Sequence, residues 1–273
     1  MGVLSHRRDV LARLRSDLPH HAGGRRRSGV ARRPPDAELV LRLQRTIGNR
    51  ATTRLLRKTD ALKRAGITTD SLVDDQTPKW IQAALVESQK LRPYLRNKFP
   101  GSAITAKGKF EIHTREDDFN QVAHTLTGDG SRMTKDQRTA AYGKVGGVFD
   151  RGSGVVHVRS RTKFGNAVHE AMHRVAHPGF HGFWGEFINE GVTQYFADCL
   201  LREQDLPIVT NHDYKKQLAC AQKLVTVSSF EAVASAYFQM DNNALHDAVM
   251  KHLKMDINQL LDARKAKTVC TLL

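Results

Sequence analysis

Five consecutive residues, His169-Glu170-Ala171-Met172-His173, have the types and spacing to do chemistry. They fall within a run, Phe164 to His177, whose pattern predicts a helix. Residues four apart on a helix lie one above the other on one face, so both imidazoles can reach one metal ion from a single rigid element. Glu170 adjoins the first ligand but is out of line with it, which leaves its carboxylate to act on a metal-bound water. Zinc suits such a donor set. With 13 His and 9 Glu in 273 residues, the pattern arises by chance in roughly 2% of chains of this composition. The surroundings of the motif must therefore carry the weight. The competing reading is a helix with two surface or core histidines.

A metal site needs a third ligand, and several residues compete for it. His169, His173, His177 and His181 recur every four residues. The extended pattern H-E-x-x-H-x-x-G-x-x-H would need a glycine at 176 and a histidine at 179, where the chain has Ala176 and Gly179. His177 precedes Pro178, which pushes it out of helical geometry, and His181 is expected in the Pro178-Gly179 loop. A second helix is predicted from Phe183, with apolar pairs Phe183-Trp184, Phe187-Ile188, Gly191-Val192, Tyr195-Phe196 and Cys199-Leu200 forming one broad stripe. Glu190, Gln194 and Asp198 share another face of it. Glu190 stands 17 residues after His173 and directly before Gly191, whose missing side chain is expected to allow close packing on the metal helix.

The stretch Asn189-Glu190-Gly191-Val192-Thr193-Gln194 resembles that of gluzincin metallopeptidases, in which two histidines of one helix and a glutamate of the next hold zinc. The resemblance implies His169, His173 and Glu190 as ligands and Glu170 as general base. It also implies hydrolysis of peptide bonds in a protein or peptide substrate. Gln194 stands where Glu or Asp is often seen, which leaves open whether Gln194 or Asp198 orients a ligand histidine. The tail, with Tyr214 and Ala234-Ser235-Ala236-Tyr237-Phe238, resembles the helical end of bacterial peptidases of this kind. That likeness implies Tyr214 as transition-state donor, against a core-facing tyrosine and against the weaker rivals His157, His212 and Tyr142. The expected fold is α+β: a mostly helical zincin-like domain with a small antiparallel sheet.

Composition narrows the partners. Apolar residues make up 40% and charged residues 26% of the chain, ordinary for a soluble protein. No apolar run reaches the length of a membrane span. The N-terminus lacks the apolar core of a secretory signal, so the expectation is synthesis in a bacterial cytoplasm. The net charge of +15 is uneven. Residues 1–100 hold 22 Lys and Arg against 9 Asp and Glu, whereas 101–273 hold 21 against 19. No aromatic residue interleaves the basic residues up to Lys58, which argues against specific nucleic-acid binding. Cys199, Cys220 and Cys270 form no C-x-x-C pair and are expected as reduced thiols.

In chain order, residues 1–35 are rich in Arg, Gly, His and Pro and read as a disordered basic leader. Residues 36–58 follow as a helical segment opened by Asp36, and 59–105 as a helical connector. Residues 106–273 form the presumed catalytic domain. It includes a strand at Lys109–His113, a helix over Asp117–Leu126, and strands at Lys144–Phe149 and Gly154–Arg159 joined by a turn. The strand before the metal helix is expected to be an edge strand able to hold an extended peptide. Capping boxes are expected at Ser228/Glu231 and Asp256/Gln259, with Asp241 as a further N-cap.

The segment Leu43-Gln44-Arg45-Thr46-Ile47-Gly48-Asn49-Arg50-Ala51, continuing to Leu56, resembles a leader of cargo proteins of bacterial extracellular contractile injection systems. That implies loading through Leu43–Leu56 into a phage-tail-like particle, delivery into target cells, and a toxin or effector role. The alternative is a non-catalytic particle-associated binding protein whose metal site is structural or degenerate.

Overall fold

The computed structural model describes residues 66–95, 103–127, 132–206, 208, 214–265 and 268–273. All of them lie in the unit Thr53–Leu273. The basic leader, the Leu43–Leu56 segment and His212 lie outside the described residues. In chain order the elements are α1 (Thr77–Glu87), α2 (Arg92–Leu95), β1 (Phe110–His113), α3 (Glu116–Thr127), α4 (Lys135–Tyr142), β2 (Gly147–Asp150), β3 (Val155–Arg159), α5 (Phe164–Val175), α6 (Pro178–Trp184), α7 (Glu186–Glu203), α8 (Lys215–Val227), α9 (Phe230–Gln239), α10 (Asn243–Leu253), α11 (Ile257–Lys265) and α12 (Val269–Leu272). The fold is α+β, as expected.

The sheet departs from expectation. Its order is β1-β3-β2, with β1 parallel to β3 and β2 antiparallel to it, so the sheet is mixed and not purely antiparallel. β3 is central and buried along its whole length. The edge strand beside the metal helix is therefore β2, not the later strand expected from chain order. Order along the chain could not reveal this, because the partner of β3 on its other side is β1, 46 residues earlier in register. Asp150-Arg151-Gly152-Ser153 makes the predicted turn. The Asp150 carboxylate accepts from the Gly152 N–H at 2.8 Å and from the Ser153 hydroxyl.

Alternation in the strands sets two faces. Phe110, Ile112, Val156 and Val158 join the main core, which also holds the apolar side of α5. Glu111, His113, His157 and Arg159 turn to the other face, where Phe119 of α3 lies against His113 and under the Arg159 guanidinium. On α5, Phe164, Ala167, Val168, Ala171, Met172 and Val175 are buried. Each fully buried large side chain there contributes about 1.5–3 kcal/mol. Ile81, Leu85, Leu91, Leu95 and Ile104 belong to the same core, so the connector and the later elements share one interior.

Helix α5 ends at Val175, with Ala176 and His177 both extended ahead of Pro178. Residues 178–184 are helical rather than a loop, and Gly185 (φ +81°) separates α6 from α7. A left-handed φ there costs glycine little, and it divides what reads in sequence as one helix from Phe183. Gly191 packs against α8, not against the metal helix: a Cβ there would lie 2.1 Å from the Gln217 carbonyl oxygen. The Asp256/Gln259 capping box is present, with reciprocal bonds of 2.8 and 2.9 Å. The cap of α9 sits one residue later than expected, at Ser229; α10 starts after Asn242, which makes no side-chain cap, while the Asp241 carboxylate accepts from the Asn243 N–H at 3.4 Å. Cys220 and Cys270 are joined as a disulfide, against the expectation of three reduced thiols, and Cys199 is free and buried. The two are 50 residues apart, and only the packing of α12 beside α8 brings them together.

Candidate metal centre

His169 and His173 project from one face of α5 toward α7, which brings Glu190 to meet them. His169 Nε2 and His173 Nε2 are 3.2 Å apart. Glu190 Oε2 lies 3.2 Å from the first and 3.3 Å from the second. An imidazole nitrogen offers one hydrogen or one lone pair, not several, yet each Nε2 here faces two other donor atoms. A cation among them satisfies all three. A tetrahedral zinc with N and O ligands at about 2.0–2.2 Å holds its ligand atoms about 3.3 Å apart, so this triangle fits the ion. His169, His173 and Glu190 thus form a group that could hold a metal ion.

The far side of each imidazole is supported. His169 Nδ1 is 3.0 Å from Gln194 Oε1, and Gln194 Nε2 donates to Asp198 Oδ1 at 2.8 Å. This answers the question left by the sequence: Gln194 orients the histidine and Asp198 orients Gln194. His173 Nδ1 is 3.2 Å from Thr193 Oγ1. The Thr193 hydroxyl donates to the Asn189 carbonyl at 2.7 Å and is 2.6 Å from the Tyr237 hydroxyl. With Tyr237 and the His173 Nδ1–H as its donors, Thr193 has every hydrogen-bonding position used. Supports of this kind fix the tautomer and raise the basicity of a ligand imidazole. Thr193 and Tyr237 had no assigned role in the sequence reading. The signal available was helical spacing: Asn189 and Thr193 flank Glu190 on α7, three and four residues from their neighbours on that face.

Charge follows this geometry. Burial alone would raise Glu190, but hydrogen bonds from the two imidazoles and their charge hold it well below the usual carboxylate range. Burial alone would lower His169, but Glu190 and Glu170 raise it. Burial pushes the Glu170 carboxyl up, against the lowering pull of His169 and His173. It also pushes Asp198 up and the fully buried Tyr237 far above its ordinary value. Glu170 lies under the edge strand: a Cβ on Gly147 would sit 2.6 Å from Glu170 Cγ, so that position must be glycine for the carboxylate to keep its place.

Three clefts open onto the cluster. One of about 220 Å³ is lined by His169, Glu170, Tyr214 and Gly147. Another, about 520 Å³, is lined by His173, Glu190, His181 and Phe149. A third, about 460 Å³, reaches Glu190 and Tyr214 from the side of Trp184 and Arg264. The Tyr214 ring is stacked on His169, with centroids 4.8 Å apart and planes at 16°. Tyr214 therefore stands between two of the clefts, beside the ligands.

The rivals are placed elsewhere. His177 caps α6, its Nδ1 accepting from the Gly179 N–H at 3.0 Å. His181 lines the cleft beside His173, but the three-atom set is complete without it; its Nδ1 is buried without a hydrogen-bond partner, and burial lowers its pKa. Tyr142 lies beside His124 at 3.4 Å, near α3. His157 is on the sheet face turned away from α5, 3.0 Å from His113 Nε2 and 3.3 Å from Glu111, and burial lowers its pKa. Among the described residues no helix is long and apolar enough to cross a membrane. Comparison of the chain with protein-family models, curated proteins and solved structures finds no match.

Proposed function

We propose that this chain is a zinc-dependent endopeptidase of gluzincin type, with a zincin-like catalytic domain. The observation that carries the reading is a three-atom ligand set open to solvent clefts, with a half-buried carboxylate, Glu170, next to it on the same helix. A structural metal site needs neither the cleft nor the carboxylate. Bound by His169, His173 and Glu190, zinc supplies a Lewis acid for the scissile carbonyl and lowers the pKa of water toward neutrality.

The chain's own residues do the rest. Glu170 takes the proton of the attacking water and passes it to the leaving amine, a role suited to a carboxyl whose pKa burial raises. Tyr214, stacked on His169 and lining the cleft, donates to the oxygen that develops negative charge. β2 is an end strand, and its register with β3 pairs Gly146, Val148 and Asp150 inward. The backbone groups of Gly147 and Phe149 are thereby turned outward, and an extended peptide adds there as a further strand beside Glu170.

The test joins metal content to turnover. Glu170→Gln is expected to keep its zinc and lose peptide hydrolysis. Glu190→Ala is expected to lose zinc and hydrolysis together. Full activity in Glu170→Gln would overturn the reading. We further propose, on the resemblance of Leu43–Leu56 alone, that the chain is an effector loaded into a contractile injection particle. Deleting residues 1–58 should spare hydrolysis and abolish loading; continued loading would reject it.

A further inference from the structure

We propose that Glu111, His113 and His157 form a second divalent-cation site, suited to zinc, on the face of the sheet turned away from the metal helix. Glu111 and His113 are two residues apart on β1 and so share a face, and the parallel register sets His157 of β3 directly opposite Glu111. His157 Nδ1 lies 3.0 Å from His113 Nε2 and 3.3 Å from Glu111 Oε2, and one donor atom from each of the three falls within 4.8 Å of the others. A hydrogen-bonded chain accounts for only one of these approaches. His157 Nδ1 carries a single hydrogen or a single lone pair and cannot make a full bond to both partners. A cation at that point takes a lone pair from each residue. The separations of 3.0 and 3.3 Å are close to the roughly 3.3 Å between ligand atoms of tetrahedral zinc.

The surroundings suit an ion. His113 is held edge-on against Phe119, which fixes its ring before binding. The Glu111 side chain is 48% exposed, so it can close the third edge, and the site opens to solvent on that side. The guanidinium of Arg159, which is paired with His113 in the register, is spent on the oxygens of Asn120, Tyr142 and Val145 and lies over Phe119. An ion there ties β1 to β3, a parallel pair from distant parts of the chain that backs the metal helix. The Asp150 carboxylate, whose charge acts on His157, is taken up by the Gly152 N–H and the Ser153 hydroxyl, so the role we assign to the site is to stabilise and not to catalyse.

The test counts zinc on the purified full chain after chelation, reloading with zinc chloride and gel filtration. Wild type is expected to retain two equivalents, His113→Gln and the exposed Glu111→Gln one each, and Glu190→Ala one. The unfolding temperature of Glu190→Ala should still rise with added zinc, and the rise should vanish when His113→Gln is added. Two equivalents in both His113→Gln and Glu111→Gln, or a wild type that holds one equivalent lost in Glu190→Ala, would overturn the proposal. Loss of one equivalent in Glu111→Gln with both kept in Glu190→Ala would uphold the strand site while sinking the helix one.

Discussion

Among the described residues stand two clusters of the same composition, two histidines and a glutamate, on different scaffolds. One is built on α5 and α7, the other on β1 and β3. In the helical cluster the 3.6-residue repeat stacks His169 over His173 and leaves Glu170 one position round, next to the ligands but free of them. In the strand cluster the two-residue repeat puts Glu111 and His113 on one face and sends Ile112 between them into the core. A helix can therefore present ligands and a base together, whereas a strand presents ligands and buries the residue between. The supports differ as well. Each imidazole of the helical pair has a partner from α7 on its far nitrogen, and those partners are bonded in turn to Asp198 and Tyr237. The clefts that reach Glu170 and Tyr214 lie on the helical side.

This contrast can be broken at several points. The largest effect is expected from Tyr214→Phe, which should lower kcat about 10²–10³-fold, the range for removing one oxyanion donor, with KM and zinc content little changed. Stopped-assay kinetics on a peptide substrate decide it; unchanged kcat would return Tyr214 to a packing role. Next in size is Gln194→Ala, expected to weaken zinc binding about 10–100-fold at the helical cluster, as loss of a ligand's hydrogen-bond partner does. Competition with a chromophoric chelator measures it, and the strand cluster's equivalent should not move. Thr193→Val should act in the same direction through His173. A smaller effect, about 1 kcal/mol, is expected from Asp256→Ala, which removes an exposed cap that belongs to neither cluster. Urea unfolding of that variant should show unchanged zinc content and turnover.

The smallest effect lies in the turn behind the strand cluster. The hydrogen bond from the Ser153 hydroxyl, with lesser help from the backbone of Gly152 and Ser153, outweighs burial and holds Asp150 below its ordinary value. A carboxyl depressed in the folded state adds stability above its unfolded pKa, about 3.9, and loses it as pH falls through the folded one. The difference in urea midpoint between wild type and Asp150→Asn should thus be constant from pH 7 to 5 and shrink below about pH 4. A difference that grows on acidification would contradict the assignment.

Much of the helical cluster was legible because its information is local. The spacing of His169, Glu170 and His173 needs only a helix to present them together, and Glu190 was read from the local stretch Asn189–Gln194, although α6 intervenes between its helix and theirs. The Asp256/Gln259 box and the strands over 110–113 and 155–159 were readable for the same reason. The helix Lys135–Tyr142 was missed: Thr134 and Gln137 form a capping box, but its weak apolar pattern hid it. What sequence periodicity cannot carry is the identity of neighbours far along the chain. Tertiary packing decided that β1 lies beside β3, which made the sheet mixed and β2 the edge. It also set Gly191 against Gln217, and Cys220 against Cys270. The second cluster belongs to this kind: Glu111 and His113 are unremarkable on one strand, and His157 was weighed only as a rival for the first site. Each side chain had a local reading, but a ligand set built across two strands exists only once the register between them is formed, because that register depends on long-range pairing and not on the spacing of any one segment.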